Sequence, residues 1–227
     1  MNDMSVRSIP SIQIHSPIRR AKILVIFYSL YGHVYELAKE IKIGLEKNPN
    51  IVVEMYQIPE TMPEELLGGI GAPPKPDIPN ITLEKMRDAD GFLFGIPTRY
   101  GAMPSQYHAF WESTVSLWTE GALCHKFAGT FFSTSCQRGG QESTGYTFVT
   151  NLVHHGMVYV PLGFTSPHLT DNTEVIGGSP WGAGTITNGD GSRIASVKER
   201  ELARSQGEQF GVFVEQMVRE KAILRTV

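Results

Sequence analysis

The chain has 227 residues, 41% hydrophobic and 19% charged, which are globular proportions and enough length to bury one full core. Its 20 Lys and Arg nearly balance 23 Asp and Glu, leaving a net charge of −3, too even for steering toward nucleic acid or an anionic membrane. The only cysteines, Cys124 and Cys136, match neither a metal knuckle nor a redox Cys-x-x-Cys, so the composition argues against a disulfide framework and for small-molecule chemistry in a reducing, cytoplasmic compartment.

Residues 1–20 carry Arg7, Arg19 and Arg20 against Asp3 alone, but Pro10 and Pro17 interrupt any long amphipathic helix and no continuous apolar centre marks a secretory signal. They read as a flexible N-terminal extension, with a cleaved organelle-targeting segment as the alternative, ahead of one domain over residues 21–227. No apolar run reaches the roughly 18 residues of a membrane span.

Lys22-Ile-Leu-Val-Ile-Phe-Tyr28 is apolar almost throughout, as expected of a strand covered on both faces in a parallel sheet. Beyond it, apolar residues recur at Val34, Leu37, Ala38, Ile41 and Leu45, a helical spacing that Asn48-Pro49 closes. The pattern repeats, predicting strands over residues 51–58, 91–97, 127–133 and 157–161 and helices over 83–88, 105–118, 142–155 and 196–221. Strands alternating with helices in this way predict a doubly wound sheet. Two stretches exceed that plan: residues 68–80, rich in Gly and Pro, and residues 163–193, which include Ser179-Pro-Trp-Gly-Ala-Gly184. Loops that long in a compact domain are usually functional or disordered, and Trp181 favours function, because a loose aromatic is costly.

Ser29-Leu-Tyr-Gly-His-Val34 follows the first strand and opens the first helix, where open α/β sheets bind ligands and free backbone N–H groups favour an anion. It has hydroxyls at Ser29 and Tyr31 and a permissive Gly32, but neither a dinucleotide Gly-x-Gly-x-x-Gly nor a Walker lysine. That combination suits a phosphate monoester held by neutral donors, such as the ribityl phosphate of FMN; the alternative is an ordinary turn with Ser29 as a helix cap. Pro97-Thr-Arg-Tyr-Gly101 follows the third strand, which flanks the first at the switch point of a sheet ordered 2-1-3-4-5. Tyr100 can wall a planar ring, and Arg99 can place positive charge near the flavin N1 and C2 oxygen. Taken singly, these residues are equally a surface ion-pairing arginine and a packing tyrosine. Thr134-Ser-Cys-Gln-Arg-Gly-Gly140 is a small polar loop after the fourth strand, able to approach a ring edge. At the end of a helix, His154 is either a partner of the helix dipole or a donor to a quinone oxygen.

These segments, with Gly139-Gly-Gln-Glu142, His154-His-Gly-Met157, Pro59-Glu-Thr-Met-Pro63 and Gly189-Asp-Gly-Ser-Arg193, resemble the WrbA-type NAD(P)H:quinone oxidoreductases, a tetrameric branch of the flavodoxin superfamily, over about residues 22–221. The resemblance implies a flavodoxin-like five-stranded parallel sheet of order 2-1-3-4-5 with helices on both faces. It implies two-electron, ping-pong reduction of a quinone by NADH or NADPH through FMN, in oxidative-stress defence, by a homotetramer, or at least a homodimer, that needs no metal. By carry-over, Ser29, Leu30, Tyr31, Gly32, His33 and Val34 enclose the FMN phosphate. Pro97, Thr98, Arg99, Tyr100 and Gly101 border the isoalloxazine, and Thr134, Ser135, Cys136, Gln137, Arg138 and Gly139 complete the flavin loop. Arg99 and His154 are the catalytic candidates, His154 also reaching the ring, and Tyr31, Trp118 and His154 meet nicotinamide or quinone. One departure stands out: Cys136, Gln137 and Arg138 replace the smaller residues of the family's Gly-rich loop, so the expected pocket is narrower, more polar or less able to hold flavin. A single-electron carrier, or a scaffold that kept only the fold, are the rival readings.

Overall fold

The computed structural model describes residues 19–224, so the N-terminal extension lies outside the described residues except for Arg19 and Arg20. Arg19 pairs with Asp90 at 2.6 Å, at the start of the third strand.

The predicted first strand is β1 (Ala21–Phe27). Ile23 to Phe27 are wholly buried because alternate side chains enter two different cores, Leu24 and Ile26 one, Ile23, Val25 and Phe27 the other. Around it, β2 (Ile51–Gln57), β3 (Gly91–Pro97), β4 (Phe127–Thr134) and β5 (Val158–Tyr159) complete a parallel sheet of order β2-β1-β3-β4-β5. Helices α1 (His33–Glu46) and α7 (Val197–Leu224) cover one face. The other carries α3 (Leu83–Asp88), α4 (Ser105–Glu112), α5 (Val115–Thr119) and α6 (Gln141–His154).

Three features correct the sequence reading. The single helix predicted over 105–118 breaks between α4 and α5, where the Ser113 and Thr114 hydroxyls donate back to the Phe110 and Trp111 carbonyls and draw the backbone out of its helical course. A short α2 (Glu64–Gly69) precedes the 68–80 excursion. The sheet has six strands, because the last edge position is shared. β5 pairs only at the start of β4, and β6 (Gly184–Ile186) returns to pair with its end, Phe132 opposite Gly184 and Thr134 opposite Ile186. The long excursion of residues 163–193 is therefore an insertion into one edge strand. Trp181 anchors it as expected: the ring packs against Tyr146 and Tyr159, and its carbonyl accepts from the Thr130 hydroxyl at 2.9 Å.

α1 and α7 touch backbone to backbone. A Cβ on Gly44 would lie 2.0 Å from the Arg204 carbonyl oxygen, and one on Gly207 would lie 2.2 Å from that of Ile41. Gly44→Ala and Gly207→Ala are each expected to lower stability by about 2 kcal/mol through overpacking, despite alanine's helix advantage of about 1 kcal/mol over glycine. Urea unfolding midpoints measure this.

Candidate functional site

β1, β3 and β4 end at the mouth of a crevice of about 800 Å³, toward the upper end of the roughly 300–1,000 Å³ spanned by small-molecule sites. Leu30, Tyr31 and His33 line it from the first loop, Pro97, Thr98 and Arg99 from the second, and Ser133, Thr134 and Ser135 from the third.

The first loop passes through Gly32, at φ 90° and without a side-chain cap, into α1. The Tyr35 N–H reaches the buried Ser29 hydroxyl and the Glu36 N–H the Gly32 carbonyl, which leaves the His33 and Val34 N–H groups without a partner among the described residues. Burial lowers the pKa of the His33 imidazole, against the raising effects of a hydrogen bond to the Gly191 backbone and of the nearby Glu36 carboxylate.

The second loop turns tightly, Arg99 and Ala102 exchanging both backbone hydrogen bonds at 2.8 and 2.9 Å. Its two central residues, Tyr100 and Gly101, have φ of 53° and 78°, the two positive values of a type I′ turn. The Arg99 guanidinium donates to the Thr98 carbonyl at 2.9 Å and has no acidic partner among the described residues. The second and third loops meet at their glycines: a Cβ on Gly140 would stand 3.0 Å from the Gly101 Cα.

The excursion at 68–80 closes a third side. Ile70 and Gly71 line the crevice, and the Tyr31 hydroxyl donates to the Ile70 carbonyl at 3.2 Å. Lys75 pairs with Glu60 at 2.9 Å, donates to the Ser29 carbonyl and lies over the Tyr28 ring. Burial alone would raise the Glu60 carboxyl. Donors from Met62 N–H, Lys75, Tyr28 and Gln106 overcome it and hold the pKa down to about 2. Burial and the bond to Glu60 push Tyr28 well up.

Several predicted residues sit elsewhere. Val34 is a core residue behind the loop, and Tyr100 is fully exposed at 107%. Cys136, Gln137 and Arg138 are exposed and do not line the crevice, so their side chains do not narrow it. His154 and Trp118 lie far from it within the chain. α6 starts beside the crevice at Gly140 and runs about 20 Å to His154, next to the turn where the His125 N–H donates to the Gly156 carbonyl. Trp118, on α5, is likewise near that opposite end, where Glu120 pairs with Arg87, and is 59% exposed.

Sequence reasoning missed the residues that brace the loops. The Gln141 amide donates to the Thr134 hydroxyl and the Thr185 carbonyl and accepts from the Gly178 N–H. Residues 187–191, from the end of the long insertion, line the fourth side of the crevice. For that insertion the signals were the Gly189-Asp-Gly-Ser-Arg193 motif and, for its anchor, the capping-box spacing Ser196-Val-Lys-Glu199; the Ser196 N–H does donate to Glu199 at 2.8 Å and the Glu199 N–H to the Ser196 hydroxyl at 3.3 Å.

The donor set fits FMN: a helix N-terminus with neutral donors suits a phosphate monoester, and one unpaired cation stands beside space for a planar ring. A doubly wound sheet with its crevice at the β1/β3 switch point defines a flavodoxin-like protein. The sequence model of the NADPH-dependent FMN reductase family matches residues 21–171, and the chain belongs to that family. It is 48% identical to an NAD(P)H quinone oxidoreductase of Candida albicans, over 84% of this chain and 94% of that one. It is 50% identical to a quinone-oxidoreductase of Triphysaria versicolor, over 82% and 91%. A WrbA-like flavodoxin structure from Agrobacterium tumefaciens shares the fold at TM-score 0.58 and 20% identity, covering 86% of this chain and 98% of that one.

The Glu60 pKa lies below that of an unfolded carboxyl, so the Lys75 clamp is complete above pH 4.5 and weakens as pH falls toward about 2. Glu60→Gln is expected to mimic the acid state at pH 7, raising thermolysin cleavage within residues 68–80 several-fold while cleavage elsewhere stays unchanged.

Proposed function

We propose that the chain is an FMN-dependent NAD(P)H:quinone oxidoreductase that converts quinones to quinols. The observation that carries this is the crevice at the ends of β1, β3 and β4, where a helix N-terminus and an arginine without an acidic partner face one space. The names of the relatives from Candida albicans and Triphysaria versicolor support the quinone as substrate.

Bound FMN supplies two-electron transfer, taking a hydride equivalent from NAD(P)H and passing the pair to a quinone. In this reading the His33 and Val34 amides would hold the phosphate with help from Ser29 and Tyr31, while the His33 ring N–H is taken up by the Gly191 backbone. Thr98 and Thr134 would flank the ring, and Arg99 would favour negative charge on it through a preorganised interaction. The exchange is ping-pong, because one crevice serves both the nicotinamide and the quinone in turn.

The proposal includes a homotetramer, since Trp118 and His154 can border a crevice only if it belongs to another copy. Their exposure, with Val115 at 63% and Val153 at 64%, supports a face that a second copy covers. A cytoplasmic location fits two free, exposed cysteines; among the described residues no helix is long and apolar enough to cross a membrane.

An FMN titration by absorbance, followed by NADH or NADPH and then benzoquinone under anaerobic conditions, tests the reading. Binding, bleaching and recovery of colour are expected; no binding removes the proposal. Arg99→Ala is expected to slow flavin reduction at least tenfold, about 1.4 kcal/mol of barrier, in stopped-flow measurements. Trp118→Glu is expected to lower the mass by light scattering and to cut quinone turnover more than FMN affinity.

A further inference from the structure

Residues 175–193, the second part of the long insertion, are organised around one buried carboxylate. Glu199 is 0% exposed and sits in the first turn of α7. It accepts from the backbone N–H groups of Gly177, Ile186 and Ser196, from the Thr185 hydroxyl, and from the Arg193 guanidinium at 2.9 and 3.0 Å. Arg193 also donates to the Ile186 and Val175 carbonyls, while its N–H closes residues 187–193 into a loop by reaching the Thr187 carbonyl at 3.0 Å. A buried carboxylate is tolerated only with this degree of satisfaction, and removing its cation leaves an uncompensated charge.

What the pair holds is a piece of the crevice wall. The Thr187 N–H donates to the Thr134 carbonyl, and Gly191, at φ 73°, lies so close to the first loop that a Cβ there would stand 3.6 Å from the His33 Nε2. The loop therefore spans from the end of β4 to the start of α1, opposite Arg99. Within it, the Asp190 carboxylate accepts from the Ser192 N–H, and Asn188 and Gly189 are exposed with N–H groups that have no hydrogen-bond partner among the described residues. An acidic side chain beside free amides suits neutral hydroxyls rather than a second anion.

We propose that residues 187–191 are a wall of the cofactor site that takes the polyol, ribityl end of FMN, and that Arg193 and Glu199 are its positioning residues. This rests on the FMN reading above, and the test separates the two. Hydrogen exchange of the purified full chain is measured with and without FMN. Slowed exchange in both residues 29–34 and residues 187–191 is expected. Slowing in 29–34 alone overturns this proposal and leaves the FMN reading standing; slowing in neither overturns both. Arg193→Met is expected to raise the FMN dissociation constant at least tenfold by fluorescence quenching and to quicken exchange in 187–192 while β1 and α1 exchange as before. Arg193→Lys should recover part of the affinity. An unchanged dissociation constant overturns the positioning role. If Arg193→Met does not fold, Gly191→Ala strains the same loop without touching the buried pair. It must weaken FMN several-fold, and wild-type affinity in that variant overturns the proposal equally.

Discussion

β1 and β3 lie side by side, yet the helices that follow them leave for opposite faces of the sheet, α1 to join α7 and α4 to join α6. Everything at the site depends on that divergence. Two parallel strands whose connections part at their C-terminal ends cannot close over the gap between them, so a crevice opens there. Its floor consists of strand ends buried on both sides, so the backbone lining it is held by the sheet rather than by the loops themselves.

Loops placed around such a gap are prone to fray, and this chain braces them with buried polar groups. Glu60 ties the excursion at 68–80 to β1, Gln141 ties the third loop to the long insertion, and Glu199 ties that insertion to α7. Each is a side chain whose desolvation would be unfavourable alone and which becomes favourable once every lone pair has a donor. These bonds are directional, so they fix where the loops stand as well as how firmly. Apolar packing alone would hold the loops down with less control of their position.

Much of this plan was legible in the chain. The apolar run at 22–28 identified a strand buried on both faces, and the change from that continuous run to a period of 3.6 at Val34 marked the start of α1 closely. The loops after β1, β3 and β4 were located correctly because ligand loops in open sheets follow strand ends. Other parts were hidden for physical reasons. β6 is only three residues long, Gly-Thr-Ile, so it has no period to read, and its pairing depends on the edge that β4 leaves free beyond β5. Glu199 and Gln141 look like ordinary helical surface residues until the insertion folds over them.

The sequence by itself determined the class of sheet and the three loops at its switch point, because these follow from local periodicity and from which residues flank a strand end. Only the tertiary structure decided which side chains face the crevice. Val34 turns into the core, Tyr100 into solvent, and Trp118 and His154 lie away from the crevice at the far end of the sheet, although the resemblance assigns all four to the cofactor or substrate site. A side chain's direction depends on backbone torsions and on the packing of distant segments, and the spacing of residues along a motif holds neither.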